Sequence, residues 1–102
     1  MREFEVYVPL LYNDGRPVEP GKLQRLKARL VEVFGGLTHF PQENEGLWKI
    51  GNFTYRDKIV ILRVISSDVA KAHEFFTRLK QEMVEDWGQA DVLIIEREVF
   101  AF

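Results

Sequence analysis

Apolar and polar positions change period along this chain, and the changes mark its elements. From Glu3 to Leu11 the apolar side chains Phe4, Val6, Val8 and Leu10 fall on alternate positions, the two-residue period of a strand with one buried face. Its other face carries Glu5, Tyr7 and Pro9. "YNDGRP" follows as a turn. Leu23, Leu26, Leu30 and Val33 are then three or four apart, the stripe of an amphipathic helix. Pro20 suits its first turn, and the pair Gly35-Gly36 suits its end.

Beyond that helix the pattern shortens. "LTHF" reads as a brief strand stopped by Pro41, and "QENEG" as a polar loop. "LWKI" and "FTY" flank Gly51-Asn52, a pairing suited to a tight reversal or bulge. "DKIVILRVI" is the strongest strand, with Val60, Leu62 and Val64 on one face and Ile59, Ile61 and Ile65 on the other, interrupted by Arg63. Apolar residues on both faces mark a central strand. A second helix is expected from "SSD", with Ser66 or Ser67 as N-cap, Asp68 near its positive end, and Val69, Ala72, Phe76, Leu79 and Met83 as its buried stripe. Gly88 ends it, and "ADVLIIEREV" is the last strand.

The order strand–helix–strand–strand–helix–strand predicts an α+β, ferredoxin-like βαββαβ sandwich, with one antiparallel sheet and both helices on one face. At 102 residues the chain reads as one domain, 1–102. Two helices shield only one side of the sheet, so Tyr7, Ile59, Ile61, Arg63 and Ile65, with Leu93 or Ile95, are expected on the other. Such a surface predicts an interface, here a homodimer of the α+β barrel type packed sheet to sheet. Alternatively, "NEGLWKIGNFTY" or the terminal "VFAF" folds back over it.

Composition narrows the function classes. The chain has no cysteine, which removes disulfides, thiolate metal sites and cysteine nucleophiles and suits a reducing cytoplasm. No apolar run approaches the roughly 20 residues that cross a bilayer, so no membrane role is expected. Net charge is −2, and residues 67–102 carry four basic against eight acidic side chains, a poor match for nucleic acid. The basic cluster Lys22, Arg25, Lys27 and Arg29 reads as a solvated helix face.

Candidate chemistry concentrates between Phe34 and Asp57. His39 lies near Glu43, Glu45 and Asp57 in sequence and is the one candidate general base, although a lone histidine among loop acids more often has no catalytic role. No H-x-H or H-x-x-x-H spacing occurs, so no metal is expected, and His73 reads as a boundary residue. Asp14 as a metal-binding carboxylate competes with its place in an ordinary turn. Trp48, Phe53 and Tyr55 could line a small-molecule pocket or serve as core. Alternation puts Tyr55 and Asp57 on one face and Arg56 on the other, so "YRD" does not converge. The glycines of "FGGLT" match neither a dinucleotide fingerprint nor a P-loop, and no cofactor is expected.

"FGGLT", "EGLW", "YRDKIVILRV" and "GQADVLI" together resemble a family of small uncharacterised bacterial ferredoxin-like proteins. That family has no assigned activity, so the resemblance implies a fold and no catalytic residue. The wider dimeric α+β barrel group includes small-molecule binders and cofactor-poor oxygenases, an analogy at the level of fold. The reading is a cytoplasmic, non-catalytic, homodimeric binding domain with a possible pocket at residues 39–57. Its rival is a small cofactor-poor enzyme, monooxygenase- or isomerase-like, using His39 as base.

Overall fold

Strand β1 (Arg2–Pro9) sets the architecture, because its alternate side chains Phe4, Val6 and Val8 need cover that one strand cannot supply. In the computed structural model, which describes residues 1–102, helices α1 (Pro20–Phe34) and α2 (Val69–Asp86) supply it. With β2 (Thr38–Ile50), β3 (Phe53–Ser66) and β4 (Ile94–Glu98) they complete an α+β domain. Its four-stranded antiparallel sheet has the order β2-β3-β1-β4, an arrangement compatible with a ferredoxin-like fold.

The core lies between the sheet and the helices. Phe4, Val6 and Val8 meet Val60, Leu62 and Val64 of β3, Leu26 and Leu30 of α1, and Ala72, Phe76, Leu79 and Met83 of α2. Phe75 is buried as well, although it stands off the stripe expected for α2. Its ring meets Phe34 edge-on at 5.2 Å, and the Arg29 guanidinium covers it at 5.2 Å.

Local chemistry explains the boundaries. Gly35 caps α1 in the left-handed conformation (φ 82°), its amide donating to Val31 O at 2.8 Å. Asp68, not Ser66 or Ser67, is the N-cap of α2: its carboxylate accepts from Lys71 N at 3.1 Å. Ser66 Oγ instead accepts from Asp68 N at 3.2 Å. The final strand covers only 94–98 of the stretch expected to be extended.

The largest departure concerns β2. Pro41 does not stop it, and the "QENEG" segment is strand rather than loop. Since β2 is an edge strand, Pro41 can lack an amide without breaking the sheet. Between the pairs Phe40↔Ile61 and Asn44↔Ile59 the register slips, so four steps on β2 oppose two on β3. That insertion is even, so Phe40 and Asn44 stay on the same face. Past the bulge β2 and β3 continue as a hairpin arm to the reversal at Gly51-Asn52. The molecule is correspondingly elongated, 42 × 28 × 24 Å.

Candidate functional site

The arm and the loops opposite it frame a cleft that gathers the aromatic candidates of residues 39–57. Alternation from Ile61 and Ile59 continues through Asp57, Tyr55 and Phe53, so these three share the sheet face that carries no helix. Trp48 and Ile50 pair with Tyr55 and Phe53 and lie on the same face. Against them stand Leu11–Asn13 from the β1–α1 connection and Gln89–Asp91 from the α2–β4 connection. The cavity is an open cleft of about 310 Å³, at the small end of ligand pockets.

Gln89 fixes the loop wall. It is buried, and its Nε2 donates to Leu11 O at 2.9 Å and to Trp87 O at 3.0 Å, tying the two connections together. Gly15 turns the first connection (φ 88°), with its amide bonded to Tyr12 O at 2.9 Å. Asp14 is committed within that turn, accepting from Arg16 N at 3.0 Å and Arg16 Nε at 2.6 Å.

The arm wall is aromatic with one carboxylate. Phe53 and Tyr55 rings lie 5.2 Å apart. Trp48 lies across bare backbone: a methyl group at Gly46 would sit 3.2 Å from Trp48 Nε1 and 3.7 Å from Asp57 Cβ. Asp57 Oδ1 is buried without a hydrogen-bond partner. Burial pushes its carboxyl above the usual aspartate range, while the backbone amides of Lys58 and Leu11 pull partly back.

All three aromatics singled out as pocket candidates, Trp48, Phe53 and Tyr55, therefore line one cavity. His39 does not join them. It pairs with Leu62 on the helix-covered side of β2, and its Nε2 is buried and unpartnered. Burial, followed by the nearby Lys27, holds its pKa below the ordinary 6.5. His73 bonds Glu96 at 2.7 Å at the α2–β4 junction.

The uncovered face divides in two. Glu3 and Glu5 lie on it yet are only 7% and 6% exposed. Arg63 pairs with both, and Arg97 reaches them at 3.5 and 2.5 Å. Arg63 also lies 4.7 Å over the Phe40 ring. Farther along, Ile59 sits between Pro9 and Asn44 and is only 7% exposed within its own chain. Tyr7 and Ile61 are half-buried, and Ile65 is 43% exposed. The terminal segment does not cover this face, since Phe100 is 87% exposed and Phe102 fully so.

The basic stretch of α1 is partly engaged internally. Arg29 forms a two-pronged pair with Glu82, at 2.6 and 3.1 Å, and Lys22 donates to Asp86 O at 2.8 Å. No helix is long and apolar enough to cross a membrane. No family model matches the chain, and a search of curated proteins returns no significant match.

Proposed function

We propose that this protein is a non-catalytic, homodimeric binding domain that holds a small molecule in the cavity between the β2–β3 arm and the loops at Leu11–Asn13 and Gln89–Asp91. The observation that carries the reading is the partnerless Asp57 Oδ1 among the aromatic side chains of a cavity of about 310 Å³. A concave aromatic wall with one orienting polar group is the usual make-up of a small-ligand site. Binding rather than turnover is supported by His39, which lies across the sheet from the cavity.

Pairing is supported by Tyr7, Phe40, Ile61 and Ile65, which share a sheet face that no helix covers. Arg63 has its carboxylate partners within the chain, so the apolar part of this face is the seam. The cysteine-free chain suits a reducing cytoplasm.

Two measurements test the reading. Light scattering should give twice the mass of one chain, and Ile61→Asp should restore single-chain mass. A chain that stays single at high concentration overturns the pairing. In a fragment screen followed by amide NMR, saturable shifts should cluster at Trp48, Tyr55 and Gln89 and vanish in Trp48→Ala. Shifts confined to other surfaces overturn the pocket.

A further inference from the structure

We propose that the cavity selects a small organic cation, an ammonium or guanidinium group set against Asp57 with an apolar body lodged against Trp48 and Tyr55. This rests on the small-molecule reading above and adds the ligand's chemical class. Asp57 makes no ion pair, and although the Lys58 and Leu11 amides approach its carboxyl, its Oδ1 has no hydrogen-bond partner. Asp57 is half-buried, and a carboxylate oxygen shielded from water without a partner is costly, a cost that an incoming cation would offset.

No cation of the chain does so. Arg56 and Lys58, its sequence neighbours, belong to the opposite face of β3, and Arg56 lies 3.9 Å from Glu45. Lys49 pairs with Thr54 on that same opposite face, and both border the cavity at its rim along with Arg56. Lys80 is held by Asp91 at 3.3 Å, which neutralises the other carboxylate of the lining. Of the two carboxylates in the lining, Asp57 is thus the one without an ion-pair partner, although Lys49 and Arg56 also border the cavity.

The aromatic wall fits the same ligand. Ring faces attract cations, most strongly that of tryptophan. Gly46 separates the two features by bare backbone: a methyl group there would meet both the indole edge of Trp48 and the Cβ of Asp57. An anion would meet the Asp57 carboxylate in the wall, with only the rim side chains Lys49 and Arg56 to offset it, and a neutral apolar ligand would seal the carboxylate away without a partner.

Three probes of one shape test this on the full chain at neutral pH: phenethylamine, phenethyl alcohol and phenylacetate, followed by amide and indole NMR. The amine should bind at least about tenfold more tightly than the other two, with saturable shifts at the Trp48 indole and Tyr55. Asp57→Asn should bring the amine down to the alcohol's affinity and leave the alcohol unchanged. If the alcohol or phenylacetate binds as tightly as the amine, the cation inference falls and the cavity reading survives. If none of the three shifts cavity residues up to its solubility limit, both fall. The comparison of probes on the unaltered chain decides the matter even if Asp57→Asn folds poorly.

Discussion

The two faces of the central strands β1 and β3 bury their residues by opposite means. Toward the helices, Phe4, Val6 and Val8 face Val60, Leu62 and Val64, apolar at every position and sealed by α1 and α2. On the other side the same strands place Glu3, Glu5, Tyr7 and Pro9 against Ile65, Arg63, Ile61 and Ile59. There, with no helix above them, Glu3 and Glu5 are nearly as inaccessible as the core. Arg63 and Arg97 cover them, each guanidinium reaching both carboxylates. Burial is therefore a poor guide to hydrophobicity here. One face loses water to apolar packing, the other to charge-assisted hydrogen bonds.

Adjacent residues can break that comparison. Leu62 is fully buried on the helix side, so Leu62→Ala should cost about 2–5 kcal/mol in denaturant unfolding. Ile61→Ala, one position away on the uncovered side, should cost under about 1 kcal/mol in dilute protein. Equal losses would mean that the uncovered face is packed as tightly as the core.

Arg63→Met comes next, at about 1–3 kcal/mol, because it leaves Glu3 and Glu5 to Arg97 alone. Adding Glu3→Gln to that variant should recover part of the loss, and a double-mutant cycle measures the coupling. Zero coupling would reduce the four charges to ordinary surface decoration.

The smallest effect belongs to His39→Leu. The folded pKa of His39 lies below its ordinary 6.5, so the unfolded chain takes up its proton first as pH falls. Its contribution is intact above 6.5 and is lost as pH drops through the folded value. His39→Leu should change stability by less than about 1 kcal/mol at neutral pH and flatten its decline below 6.5. Denaturation midpoints across that range check it, and an unchanged slope would place the titration elsewhere.

Much of the scaffold was legible residue by residue. The three-and-four spacing from Leu23 to Val33 and the glycine at position 35 mark α1 and its cap, as observed. The two ends of β2 were legible as "LTHF" and "LWKI" but their continuity was not, because Pro41 and five polar or glycine residues look like a loop when read locally. Whether a strand tolerates them depends on its being at an edge, which is a property of the sheet. The cap of α2 was missed by one or two positions, since Ser66, Ser67 and Asp68 all have suitable oxygens and only the backbone path selects among them.

In the cavity, alternation correctly separates Tyr55 and Asp57 from Arg56. It carries no sign that Gln89 would fasten a wall 78 residues from Leu11, or that Gly46 would seat the Trp48 ring.

Taken alone, the order of residues determined which side chains share a face, where the helices lie to within a residue or two, and that two helices leave half the sheet open. Periodicity is a local property, and it records direction. Folding in three dimensions decided what each face meets: arginines over Glu3 and Glu5, loops opposite Tyr55, and His39 on the far side of the sheet from the cavity. Those outcomes depend on segments distant along the chain being packed together, and no short window of sequence contains both partners.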